Sequence, residues 1–182
     1  MQGMVLEKFG KSQSVIRSED VRFLTGHGAY VDDISPASAL VAYVLRAPVA
    51  HARIVALDLA EACACDGVHL VITAAELHSA GVALDMTAST VRDLDGSQGA
   101  APMRPLLAQN RVRFAGEAVA VVIAESLELA RDAAEQIIVD YDELPVHLSL
   151  QAGGEPLHNE APENRAFDWG FGTKDATEAA FD

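Results

Sequence analysis

Ala118-Val-Ala-Val-Val-Ile-Ala124, with Glu125-Ser-Leu-Glu-Leu-Ala-Arg-Asp-Ala-Ala-Glu-Gln-Ile-Ile138 and Val139-Asp-Tyr141 behind it, decides the fold class of this chain. The first run is apolar without alternation, the pattern of a strand covered on both faces. Ser126 can cap a helix in which Leu127, Ala130, Ala134, Ile137 and Ile138 recur at helical spacing. Val139-Asp-Tyr141 then reads as a strand leading to Glu143-Leu-Pro145, where the proline ring ends the element. The expectation is an α+β domain with this strand–helix–strand unit at its centre.

Upstream, Leu40-Val-Ala-Tyr-Val-Leu45, Arg53-Ile-Val-Ala-Leu57 and Val68-His-Leu-Val-Ile72 are short runs rich in strand formers. Between the last two, Asp58 with Glu61 has the spacing of a capping box, and Gly67 offers a left-handed exit. Thr73-Ala-Ala-Glu76 is a second such box, with Ile72 and Leu77 at staple positions. From His78 to Asn110 no period is sustained, which predicts a functional or disordered loop. Residues 1–19 read as an N-terminal arm and 20–148 as the domain. Residues 149–182 read as an irregular tail in which a periodic element begins near Ala176.

Half of the 182 residues are hydrophobic, and mean hydropathy is +0.15, so a packed core is expected. A chain of this size buries roughly 70% of the surface its unfolded form exposes. Thirteen basic against 27 acidic residues give a net charge of −14. That argues against nucleic acid and anionic membrane as partners, since both call for clustered cations. The first residues show no basic stretch followed by an apolar one, and no apolar run approaches the ~20 residues of a spanning helix. Cys63 and Cys65 are too close for a disulfide framework or a zinc knuckle, and read as small packing residues of a short helix. Cytoplasmic residence is the expectation.

No coherent catalytic, cofactor or metal-ligating set emerges. Gly26-His-Gly28 lacks the third glycine of a dinucleotide fingerprint, Val31 standing in its place, so a turn is expected there. Asp32-Asp33 has no further acidic ligand at loop spacing and suits an exposed turn. His27, His69, His78, His147 and His158 show no ligand spacing and are read as structural. Glu117 fits the start of a strand, with Gly116 allowing the bend.

Arg46, His51 and Arg53 form an unusual cationic cluster for so acidic a chain. They could dock a partner, because arginine offers bidentate donors, or they could pair with carboxylates and backbone groups of the chain itself. Met103 and Leu106, in the apolar run Pro102-Met-Arg-Pro-Leu-Leu107, are candidate anchors of the same docking surface.

Three runs carry a wider resemblance: Arg17-Ser-Glu-Asp-Val-Arg-Phe-Leu-Thr-Gly-His-Gly-Ala-Tyr-Val-Asp-Asp33, Arg46-Ala-Pro-Val-Ala-His-Ala-Arg-Ile54 and Val112-Arg-Phe-Ala-Gly-Glu-Ala-Val-Ala-Val-Val122. Asp66-Gly-Val68, Thr73-Ala-Ala-Glu-Leu77 and Val139-Asp-Tyr-Asp-Glu-Leu-Pro145 extend it. In order and spacing they resemble the N-terminal part of the molybdenum-binding large subunit of the xanthine dehydrogenase, aldehyde oxidase and carbon monoxide dehydrogenase family. Ala47 stands where serine is common and Asp66 where proline is common.

The resemblance implies an α/β hammerhead domain, a mixed sheet with short helices, followed by an irregular C-terminal tail. It also implies that the molybdenum–pterin cofactor is held by sequence beyond Asp182, with iron–sulfur clusters and FAD on partner subunits or domains. Such complete enzymes hydroxylate aldehydes or N-heterocycles, or oxidise carbon monoxide. On this reading the chain's partners are the remainder of the molybdopterin-binding subunit and the iron–sulfur and flavin subunits, and the chain alone is inactive. The alternative is a free-standing interaction or assembly module with the same fold. The downstream gene sequence discriminates the two.

Overall fold

The computed structural model describes residues 17–86 and 90–181, and the chain divides into two compact units, Met1–Ala39 and Leu40–Asp182. The expected arm, 1–19, falls almost wholly outside the described residues. In the first unit a short helix, α1 (Asp20–Leu24), precedes a 3-10 turn at Val31–Asp33. Asp32 and Asp33 are exposed there, and Asp33 Oδ2 accepts the Tyr30 backbone N–H at 2.8 Å. Gly26 has φ +74°, and a Cβ on Gly28 would stand 2.5 Å from the Phe23 ring. That ring stacks on Tyr30 with centroids 5.8 Å apart, so turn geometry and ring packing account for the Gly-His-Gly sequence.

The second unit is α+β, as expected. Its strands are β1 (Val41–Arg46), β2 (Ala52–Asp58), β3 (Val68–Ile72), β4 (Asp85–Met86), β5 (Arg104–Pro105), β6 (Arg111–Val112), β7 (Ala118–Ala124) and β8 (Ile138–Glu143). Among the described residues α2 (Ala60–Ala64), α3 (Ala74–Ser79) and α4 (Leu127–Glu135) lie between strands, and α5 (Lys174–Phe181) follows the last of them. The strands divide among small sheets, ordered β1-β7-β3, β6-β2-β8 and β4-β5, and every pairing is antiparallel.

The strand–helix–strand unit has the expected elements, but its two strands lie in different sheets. On one face of β7 Ala120, Val122 and Ala124 are buried, while on the other Val119 is buried and Val121 and Ile123 are half-buried, so the cover expected on both faces is fuller on one. Ala120, Val122 and Ala124 pack with Ala62, Val71 and the α4 alanines Ala130, Ala133 and Ala134. Val119, on the opposite face, packs with Ala47, Ala52, Ala108 and Val112. Leu57 and Val139 touch both clusters and join them. The alanines have a physical role: with no side chain beyond Cβ, they let α4 lie close against the sheet and fill the interior at crystal-like density.

The capping predictions fare unequally. Thr73 and Glu76 form the reciprocal box, with Thr73 Oγ1 accepting from the Ala75 N–H at 3.2 Å and Glu76 Oε2 from the Thr73 N–H at 2.8 Å. Ser126 Oγ accepts from the Leu129 N–H at 3.3 Å. Asp58 departs from expectation. It ends β2, its Oδ1 takes the Ala60 N–H at 3.0 Å, and Leu59 stands at the cap, so no box with Glu61 forms. Cys63 is exposed rather than packed, and Cys65 is half-buried with its thiol donating to Glu61 O at 3.3 Å.

The described parts of the 78–110 stretch, 78–86 and 90–110, are less irregular than its lack of period implies. β4 pairs with β5, Arg92 bridges Gln98, and the tail closes over the stretch. Ala100 N–H donates to Ala166 O at 2.7 Å and Leu94 N–H to Asp168 O at 2.9 Å. These pairings are short and reach far along the chain, so they leave no local pattern. Among the described residues no helix is long and apolar enough to cross a membrane.

Candidate functional site

Strand alternation places Val112 in the core and turns Arg111 and Arg113 away from it. β6 lies at the edge of its sheet, with Arg111 directly opposite Arg53 on β2; Arg53 in turn faces Asp142 on β8. Arg53 donates Nε at 3.1 Å and Nη2 at 2.5 Å to Asp142 Oδ2. Both side chains are about half exposed, so the pair contributes about 0–1 kcal/mol. Among the described residues Arg46, Arg104, Arg111 and Arg113 form no ion pair.

Glu117 organises the neighbouring turn. It is 5% exposed, and its Oε2 accepts the Arg113 N–H at 2.5 Å. Its backbone oxygen accepts the Ala47 N–H at 2.9 Å, while Gly116 N–H donates to Ala47 O at 2.8 Å. Arg46 Nη1 donates to Gly116 O at 2.9 Å. A buried carboxylate therefore holds the Arg113 backbone against the ends of β1 and β7. This is the strand-start role expected of Glu117.

Three adjoining cavities open along this face. One of about 440 Å³ is lined by Arg53, Asn110, Arg111, Arg113 and Glu160. A second of about 250 Å³ shares Arg111 and Arg113 and adds Asp85, Met103 and His158. A third of about 240 Å³ is more apolar, with Met86, Met103 and Phe114 beside Arg46, Arg104, Arg113 and Glu117. Arg113 lines all three, and its Nε is fixed by Leu157 O at 3.0 Å. Burial, and after it the Arg113 charge, hold the His158 imidazole below its ordinary pKa of 6.5, with Glu160 pulling the other way. Such a face can bind carboxylates or other anions through charge-assisted hydrogen bonds.

Of the residues singled out in the sequence, Arg46, Arg53 and Met103 line these cavities, and Leu106 and His51 line none of the three. Arg46 and Arg53 are at the surface, each bonded within the chain as described. His51 is 3% exposed, and its Nδ1 lies 2.6 Å from Pro145 O. A carbonyl can only accept, so Nδ1 carries the proton; Nε2 is buried without a partner among the described residues. Met103 and Leu106 are 57% and 41% exposed, while the neighbouring Leu107 is buried. Sequence reasoning passed over Arg104, Arg111 and Arg113, and read His158 as structural. Two arginines spaced two apart beside the β7 strand were the available signal, since alternation sends both to one side.

Residues 25–145 match the family model described as aldehyde oxidase and xanthine dehydrogenase, a/b hammerhead domain. The nicotine 6-hydroxylase large subunit of Paenarthrobacter nicotinovorans is 39% identical over 82% of this chain and 18% of its own length. The carbon monoxide dehydrogenase large chain of Hydrogenophaga pseudoflava is 35% identical over 90% of this chain and 21% of its own. A solved Cu,Mo-CO dehydrogenase in its carbon monoxide reduced state superposes with a TM-score of 0.71 at 32% identity, over 92% of this chain and 22% of that one. This chain thus spans about a fifth of the length of the curated relatives it matches. With that match over residues 25–145, which hold β1 to β8, the chain belongs to the aldehyde oxidase and xanthine dehydrogenase family, to its a/b hammerhead domain.

Proposed function

We propose that residues 20–148 act as the N-terminal hammerhead domain of a molybdenum hydroxylase large subunit, with 149–182 leading toward the domains that hold the molybdenum–pterin cofactor. The role is structural and interfacial. The complete enzyme hydroxylates an aldehyde or N-heterocycle, or oxidises carbon monoxide, in the cytoplasm. Its iron–sulfur clusters and FAD reside on partner subunits or domains.

The observation that carries this reading is the hammerhead match over 25–145 in a chain about one fifth as long as its relatives. Large apolar side chains left in solvent support it, among them Met103, Leu106, Phe114, Trp169 and Phe171, because extended exposed apolar surface marks interaction sites. Arg46 and Arg53 belong to the proposed interface beside Met103 and Leu106, with His51 holding the β2 segment from behind. Among the described residues no three His, Cys, Asp or Glu side chains converge. The test is metal and pterin analysis of the purified chain, with dye-reduction assays on aldehyde, purine and carbon monoxide. No bound molybdenum and no turnover is the expected result. Stoichiometric molybdenum or pterin on the chain alone would overturn the proposal.

A further inference from the structure

The arginine-lined face has a feature that internal packing does not explain. Arg111 stands directly across the antiparallel pair from Arg53, an arrangement that is destabilising for like charges. Asp142 neutralises Arg53 and leaves Arg111 uncompensated. Arg46, Arg104 and Arg113 also lack a carboxylate partner among the described residues. Acids are not scarce in this chain, which has 27 of them against 13 bases.

Three carboxylates do line the cavities. Glu117 is turned inward to the Arg113 amide, and Asp85 and Glu160 remain. Against them stand Arg46, Arg104, Arg111 and Arg113, with Arg53 already paired to Asp142, so four arginines face three carboxylates and the face is positive by one charge on a chain of net charge −14.

We propose that the face built by Arg104, Arg111 and Arg113 is a docking site for an extended acidic polypeptide segment of the surrounding enzyme. The inference rests on the interfacial role proposed above and names the chemistry of the partner. Size argues for a polypeptide over a compact ion, because cavities of about 440, 250 and 240 Å³ meet at Arg113 and offer more room than one ion fills. The third, with Met86, Met103 and Phe114, suits an apolar side chain next to the carboxylates. The overall negative charge repels acidic partners everywhere else, so a local positive face sets the register of docking.

The test is calorimetric titration of the 182-residue chain with an acetylated hexaglutamate peptide at low salt. Binding should weaken steeply as salt rises. It should fall about tenfold per arginine in Arg104→Ala/Arg111→Ala, the size of one charge-assisted hydrogen bond. Arg22→Ala/Arg165→Ala should bind as the unsubstituted chain does, and melting of both doubles confirms that they are folded. No binding, equal loss in the two doubles, or inorganic phosphate binding as tightly as the peptide would overturn the proposal.

The interfacial reading is tested separately, by association with the carbon monoxide dehydrogenase large chain of the relative lacking its matching fifth. Association that survives Arg104→Ala/Arg111→Ala removes this site and keeps the reading. No association by the unsubstituted chain removes the reading, whatever the peptide does.

Discussion

Replacing Glu117 with alanine should destabilise the chain more than any exposed substitution on the arginine-lined face. Glu117 is buried and its Oε2 takes the Arg113 N–H at 2.5 Å. Losing a hydrogen bond to a charged group costs about 2 kcal/mol, and removing the one buried methylene at Cγ about 0.8 kcal/mol more. Relief from burying a charge offsets part of this, which leaves about 2 kcal/mol. For a chain of this length that lowers Tm by about 4–8 °C. Glu117→Gln keeps the stem and an acceptor oxygen and loses only the charge assistance, about 1 kcal/mol. Thermal melts of the three proteins, with hydrogen exchange at the Arg113 amide, measure both effects. If Glu117→Ala melts within about 2 °C of wild type, or the Arg113 amide keeps its protection, Glu117 does not hold this turn.

Two further outcomes concern pH. Glu76 titrates below its ordinary 4.5, chiefly through the Thr73 side chain, so the unfolded chain takes up its proton first as pH falls. The box's contribution is therefore complete above 4.5 and lost as pH falls through the folded value. The stability gap between wild type and Thr73→Val, read from urea midpoints, should shrink across that window; a gap constant with pH would contradict it. His158 is held below 6.5 by burial and then by Arg113. Below 6.5 the unfolded histidine binds a proton that the folded one refuses, so stability should decline there until the folded value is passed. His158→Gln should flatten this decline, and an unchanged profile would show that the imidazole does not report the arginine field.

What could be read from sequence was local. Thr73-Ala-Ala-Glu76, Ser126 and the apolar run Ala118–Ala124 announce their structures through neighbours within one turn or one strand, and those elements stand where expected. Asp58 misled because the last residue of a strand and the cap of a helix share the same chemistry, and pairing of Asp58 with Ile138 kept it in β2. The division of strands between sheets was invisible, since β7 finds β1 and β3 while β8 finds β2, and nothing in any strand names its partner. The same holds for the site. Arg111 and Arg113 share a side by alternation alone, but their meeting with Arg53, Arg104 and His158 depends on strand pairing and on the return of the tail.

The most direct test of the interfacial role is light scattering coupled to size exclusion. The chain is mixed with the large chain of the carbon monoxide dehydrogenase relative from which the matching fifth has been deleted. A one-to-one complex, formed by the wild type and weakened by Met103→Asp, is the predicted result. Two separately eluting species, with the 182-residue chain folded and monomeric, would contradict it.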